Sequence, residues 1–264
     1  MQRNMRLVVL GAAESGVGAA ILALQKGYEV FVSDMGSIKP RYQEMLRKHH
    51  IAFEEGKHTE ELILNADEVV KSPGIPDTAP MVARLIEKGT PILSEIEFAA
   101  RYTDARMIAI TGSNGKTTTT SLIYHILKKA GTDVGLAGNI GHSLALQVAE
   151  TPHSTYVIEL SSFQLDNMYR FRADIAVLLN ITPDHLDRYN FEMQNYVNSK
   201  MRILQNQGPT DSFIYWMEDN YVPQALNERE TAVKRCGFTD EPSEGAVAWA
   251  QNGELVINSP VPFS

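Results

Sequence analysis

At 264 residues, 44% of them hydrophobic and 8% aromatic, the chain can build one large or two ordinary folded units, which excludes a mainly disordered polypeptide. A formal charge of −8 leaves no basic footprint for nucleic acid, so an anionic ligand must be met by positive charge concentrated locally. Cys236 is the lone cysteine, which excludes an internal disulfide framework and a cysteine-based zinc site.

The opening MQRNMRLVVLGAA sets two arginines before an apolar run, in the manner of a signal peptide, but Glu14 interrupts it and a second strand-like run follows. No window reaches about 18 uninterrupted apolar residues, so no membrane span is expected and a cytoplasmic enzyme is the default. RLVVLGAAESGVGAAILALQKGYEVFVSD reads as a strand over residues 6–10, a glycine turn, a helix over 16–25 stopped by Gly27, and a strand over 29–33 closed by Asp34. This is a parallel β-α-β opening. The dinucleotide fingerprint fits in part: Gly11 and Gly16 are present, but Ala13 holds the middle position and the Glu14 carboxylate lies beside it, both opposing a pyrophosphate. Asp34 can accept from a ribose or base, or simply cap its strand. Farther on, VVKSPGIP sets Ser72, Pro73 and Gly74 after a short strand and before a helix over 78–88, either an anion-binding helix start or a plain turn. GTPILSEIEF adds one more short strand, with a boundary between units near residues 93–97.

A strand over 106–111 leads into ITGSNGKTTTTSL and a helix over 117–129, whose Leu122, Ile123, Ile126 and Leu127 form an apolar stripe. Only Ser113 and Asn114 separate Gly112 from Gly115, so the loop is shorter than the usual phosphate-binding pattern. Its flanks still aim loop amides and a helix N-terminus at one anion, with Lys116 toward β/γ-phosphates and the Thr117 hydroxyl toward Mg²⁺. Three later strands also end in polar clusters: VGLAGNIG with Asn139, STYVIELSSFQL with Glu159, and ADIAVLLNITPDHLDRY with Asp184, His185 and Asp187. Near-continuous apolar strands belong to a parallel sheet covered on both faces, which places ligands at its carboxyl edge. Glu159 is costly to bury unless it is paired or bound to a cation. His185 reads either as a metal ligand or as a structural histidine. Lys200 shares a helix face with Tyr196 and by itself reads as a solvated lysine.

TGSNGKTTTT, GNIG, ELSSFQL, LNITPDHLDRY and SKMRIL, in this order, resemble the Mur ligase family of peptidoglycan synthesis, and within it the D-glutamate-adding branch. The likeness runs from the first strand to about residue 204. It implies an α/β fold: a Rossmann-like parallel-sheet domain for the UDP substrate over residues 1–94, then a P-loop-type α/β ATPase domain over 95–264. It further implies that Gly112, Ser113, Asn114, Gly115, Lys116, Thr117 and Thr118 bind ATP. Thr117, Glu159, His185 and Lys200 would hold two Mg²⁺ ions, Lys200 as a carbamate, with Lys116, Glu159, His185 and Lys200 the catalytic set. Glu14, Ser15, Asp34, Ser72, Gly74, Asn139, Ser161 and Gln164 would contact UDP-N-acetylmuramoyl-L-alanine, whose carboxyl is joined to D-glutamate through an acyl phosphate. A monomer without nucleic-acid or membrane partners is expected.

Members of that family continue beyond Ser264 through the rest of the ATPase domain and a third, Rossmann-like domain. A truncated chain is therefore expected, able to bind the UDP ligand but not to ligate. Other readings are a folylpolyglutamate synthetase-like ligase, against which the N-terminal unit argues; a non-catalytic nucleotide-binding module; and a nicotinamide oxidoreductase, which would have to bind its cofactor despite Ala13 and Glu14.

Overall fold

The computed structural model describes residues 4–140 and 142–258, so Gly141 of the GNIG segment and the terminal Ser264 lie outside the described residues. The first half alternates short apolar strands with helices: β1 (Arg6–Leu10), α1 (Glu14–Gln25), β2 (Glu29–Asp34), α2 (Pro40–Lys48), β3 (Ala52–Glu55), α3 (Glu60–Ile63), β4 (Glu68–Lys71), α4 (Pro80–Glu87), β5 (Ile92–Leu93) and α5 (Glu95–Ala100). Strand-helix alternation permits only parallel neighbours, and the five strands form an all-parallel sheet in the order β3-β2-β1-β4-β5. α1 begins two residues before the predicted start, with Glu14 in its first turn, where a carboxylate favours the helix dipole. α4 begins two residues later than predicted, because Pro80 takes a first-turn position that needs no donor.

The second half runs β6 (Arg106–Thr111), α6 (Lys116–Lys129), β7 (Val134–Gly138), α7 (Leu144–Glu150), β8 (Thr155–Glu159), α8 (Ser162–Asp166), β9 (Ile175–Leu178), α9 (Met193–Met201), β10 (Ser212–Trp216), α10 (Val222–Asn227), β11 (Lys234–Thr239), β12 (Ala248–Gln251) and β13 (Glu254–Ile257). Its eight-stranded sheet has the order β13-β12-β11-β10-β9-β6-β8-β7, parallel except for the β12–β13 hairpin. That hairpin turns at Asn252 and Gly253, with φ of 52° and 79°. In register, Ile110 of β6 lies opposite Glu159 of β8, and Thr111 opposite Leu178 of β9, so three polar strand ends meet at one edge.

The two sheets share a core. α1 is buried continuously from Gly16 to Ala23, because it is enclosed by the first sheet on one side and by α5 and α7 on the other; a helix apolar all round needs such enclosure. Each fully buried Leu or Ile of this layer contributes roughly 2 kcal/mol of transfer free energy. α6 covers the opposite face of the second sheet over Ile108, Ile110, Val157 and Val177. Its predicted apolar stripe is only half buried: Ile123 and Leu127 pack on the sheet, whereas Leu122 and Ile126 are 56% and 55% exposed. The two pairs lie about 100° apart around the helix, and only one can face the sheet. Among the described residues no helix is long and apolar enough to cross a membrane.

Candidate functional site

The glycine loop joins β6 to α6, and Gly115 caps the helix with φ of 82°, a conformation that suits a residue lacking Cβ. The loop is stitched to the end of β9. Ser113 N donates to Asn180 O (2.9 Å), Asn114 N to Asn180 Oδ1 (2.9 Å), and Ser113 Oγ to Thr182 O (2.9 Å). Those bonds fix the loop while the first amides of α6, at Lys116, Thr117 and Thr118, have no acceptor within the helix and face outward. Lys116 Nζ donates to its own loop, to Gly112 O (2.8 Å) and Ser113 O (2.9 Å).

Glu159 is 2% exposed and accepts from Thr117 Oγ1 at 2.7 Å and from Asn139 Nδ2 at 2.8 Å. The hydroxyl expected to reach magnesium, the strand-end carboxylate and the GNIG asparagine are therefore one connected group. Lys200 is buried on α9, not solvated as its helix position alone suggests. Its ammonium donates to Gly112 O at 2.8 Å and lies 4.7 Å from the Tyr196 ring centroid. Burial, and then the nearby positive charge of Lys116, pushes the Lys200 ammonium down to about 7. His185 stands in the left-handed region, half exposed, with Nε2 3.4 Å from Asp184 and its ring against Phe163.

A cavity of about 260 Å³ is lined by Lys116, Asn139, Ser161, His185 and Lys200 of the second half and by Pro73 and Gly74 of the first, while Thr117 and Glu159 join it through Asn139. A larger cavity of about 520 Å³ opens at the amino edge of the second sheet, but two of its cations are already paired, Arg101 with Glu68 and Arg172 with Asp211. The smaller cavity has the convergent chemistry. Hard cations take oxygen donors, and the Thr117 hydroxyl beside the Glu159 carboxylate fits magnesium. Among the described residues no three His, Cys, Asp or Glu side chains converge as a metal site.

The remaining predicted residues are more scattered. Asp34 accepts from Ala12 N (2.7 Å) and Gly36 N (2.8 Å), holding the first glycine turn to the end of β2. Ser72 N donates to Leu10 O at 2.8 Å beside it. Glu14 lies 3.8 Å from His142 Nδ1 across the junction, and Ser15 follows it in the first turn of α1. Ser161 and Gln164 form the capping box of α8: Ser161 N donates to Gln164 Oε1 (2.9 Å) and Gln164 N to Ser161 Oγ (3.3 Å). Ser161 reaches the cavity, while the Gln164 amide is engaged in the cap and is absent from the cavity lining. Sequence reasoning missed Asn180 and Thr182 as loop anchors, although LNIT marked a polar strand end, and it missed the buried Lys71.

Residues 110–256 match the Mur ligase middle domain and residues 6–81 the MurD N-terminal domain. The chain is 64% identical over 259 residues to the UDP-N-acetylmuramoylalanine--D-glutamate ligase of Bacteroides fragilis, covering 98% of this chain and 58% of that protein. It is 58% identical to the protein of the same name from Porphyromonas gingivalis, covering 96% of this chain and 58% of that one. The chain thus spans somewhat over half the length of the curated relatives it matches. In fold it is similar to the UDP-N-acetylmuramate:L-alanyl-gamma-D-glutamyl-meso-diaminopimelate ligase from Neisseria meningitides, with a TM-score of 0.66 at 18% identity over 97% of this chain and 85% of that one. The UDP-N-acetylmuramate-alanine ligase from Thermotoga maritima follows with a TM-score of 0.55 at 19% identity, over 93% of this chain and 54% of that one.

Proposed function

This chain belongs to the Mur ligase family, and on that premise we propose that it carries the UDP-substrate and ATP-binding parts of a ligase joining D-glutamate to UDP-N-acetylmuramoyl-L-alanine, a cytoplasmic, monomeric enzyme of peptidoglycan synthesis. The observation that supports this reading most is the convergence on one cavity of Lys116 and Lys200 with Pro73 and Gly74, which come from different sheets. The names carried by relatives at 58–64% identity point the same way.

A carboxylate does not accept an amine directly, because oxide is a very poor leaving group. Transfer of the γ-phosphoryl of ATP to the L-alanyl carboxylate gives an acyl phosphate; the D-glutamate amine then displaces phosphate and leaves an amide. Residues 1–94 hold the UDP end, with Glu14, Ser15, Asp34, Ser72 and Gly74 at the carboxyl edge of the first sheet, and residues 95–264 hold ATP. Lys116 exchanges the Gly112 and Ser113 carbonyls for phosphate oxygens and offsets the repulsion of two approaching anions. Thr117 and Glu159, with His185 and a modified Lys200, would hold magnesium, two ions in all, which supplies charge neutralisation and alignment when bound. With its ammonium pushed down to about 7 by burial and by Lys116, Lys200 is partly neutral near neutral pH and can take up CO₂ as a carbamate, turning a cation into an oxygen donor. Asn139 and Ser161, both lining the cavity, would contact the muramoyl group, and Gln164 supports Ser161 through the cap.

Calorimetry with UDP-N-acetylmuramoyl-L-alanine and with ATP·Mg²⁺ tests this. Saturable binding of both, without folate binding, is expected. A chain that takes a folate in place of the UDP ligand, or binds neither nucleotide, overturns the assignment.

A further inference from the structure

Lys71 ends β4 opposite Leu10 of β1, one residue before Ser72 and three before Gly74. Its side chain is 1% exposed. An ammonium is strongly hydrated, and enclosing it is unfavourable unless close partners replace the lost water. Lys71 Nζ has two partners, both from the turn that follows it: Ile75 O at 2.7 Å and Asp77 Oδ1 at 3.1 Å. Burial pushes the ammonium down from its ordinary value, and the Asp77 carboxylate opposes that shift. From across the junction the charges of Arg188 and Asp166 also reach it, with opposite signs.

The turn over residues 72–77 is otherwise lightly held. Ser72 N donates to Leu10 O (2.8 Å) and Ile75 N to Ser72 O (3.0 Å). Gly11 of the first glycine turn approaches so closely that a Cβ there would come within 2.7 Å of Ser72 Cβ. The turn therefore joins the edge of the first sheet to the wall of the shared cavity, which Pro73 and Gly74 line. A buried cation bonded to both a carbonyl and a carboxylate of the same turn fixes that turn's shape.

We propose that Lys71 is a positioning residue for the diphosphate of the UDP substrate: it braces the 72–77 turn through Ile75 and Asp77. This inference rests on the UDP-substrate reading of the first unit given above. Lys71 does not touch the ligand; it acts through Ser72 to Gly74. The contribution is therefore to the diphosphate and not to the uridine.

The test measures UDP and uridine binding to the chain by calorimetry for the parent and for Lys71→Met, Lys71→Arg and Asp77→Asn, with ATP·Mg²⁺ binding and melting temperature followed in parallel. Losing a charge-assisted brace lowers UDP affinity roughly tenfold in Lys71→Met while uridine affinity stays within about twofold. Lys71→Arg, which keeps the charge, recovers most of the loss, and Asp77→Asn loses several-fold. The inference is overturned if Lys71→Met binds UDP as tightly as the parent, if it loses UDP and uridine equally, or if the arginine variant is no better than the methionine one. Should Lys71→Met fail to fold, Asp77→Asn decides, and parent-like UDP affinity there overturns the inference. A parent chain that does not bind UDP at all defeats the substrate reading itself, a different result from equal binding by parent and variants.

Discussion

Replacing Glu95 with glutamine should flatten the pH dependence of stability at the junction between the two sheets. Glu95 opens α5, is 4% exposed, and its Oε1 accepts from Ser143 Oγ at 2.7 Å and Ala145 N at 2.5 Å, capping α7 from outside. Burial pushes its carboxyl from 4.5 up to about 7; hydrogen bonds from Ala145 and Ser143 oppose the shift, and the charge of Glu14 adds to it. Between those values the folded chain keeps a proton that the unfolded chain has released. The resulting stabilisation is complete below the unfolded value, declines as pH rises, and is gone above the folded one. At about 1.4 kcal/mol per unit the full swing is about 3 kcal/mol. Glutamine keeps an oxygen for Ser143 and Ala145 but cannot ionise. Thermal unfolding of parent and Glu95→Gln should therefore show the variant gaining on the parent between about pH 5 and about pH 8, by roughly 6 °C for a chain of this size. Comparing the two proteins cancels the groups that do not interact with Glu95. A difference that stays constant across the range would show that Glu95 is ionised throughout, and the argument would fail.

Three other outcomes follow from the same reasoning. Lys116→Ala should weaken ATP·Mg²⁺ binding by about tenfold or more with little change in melting temperature, since among the described residues its ammonium bonds to two loop carbonyls; unchanged affinity would remove it from the phosphate site. In ¹³C-bicarbonate the parent should show a lysine carbamate resonance that grows as pH rises through about 7, where the Lys200 amine loses its proton, and Lys200→Met should lack it; no resonance in the parent at about pH 8 would refute the modification. Glu97→Ala should destabilise the chain by roughly 3 kcal/mol, because the Glu97 carboxylate accepts from the amides of Tyr169 (3.1 Å), Arg170 (3.0 Å) and Phe171 (2.8 Å), and a loss under about 1 kcal/mol in urea unfolding would contradict that role.

The glycine turns and apolar runs marked β1 and β6 to the residue, because a buried parallel strand bounded by a turn allows little play. Helix ends were less legible. α1 starts at Glu14 and α4 at Pro80, where local end chemistry outweighs the apolar period. α5 shows a different limit. GTPILSEIEF reads as one short strand, yet only Ile92–Leu93 pairs in the sheet; the next residues form α5, whose Glu95 and Glu97 are among the most buried carboxylates of the described residues. Their partners come from residues 143–145 and 169–171, and nothing in a six-residue window says which distant amides the fold will bring to it.

The site was legible where strand ends carry polar residues, since a parallel sheet brings all its carboxyl ends to one edge whatever the intervening lengths. What the sequence could not reveal is how closely the cations stand. Gly112 O accepts from Lys116 Nζ and from Lys200 Nζ, each at 2.8 Å. Two ammonium groups on one carbonyl repel each other, and burial keeps water from screening them. Burial, and after it that crowding, pushes the Lys200 ammonium down to about 7. Any event that brings negative charge between the two lysines, whether phosphate at Lys116 or a carbamate on Lys200, relieves the repulsion. Because the same two charges govern both events, nucleotide binding and Lys200 modification should be thermodynamically linked, each altering the affinity for the other by an equal factor.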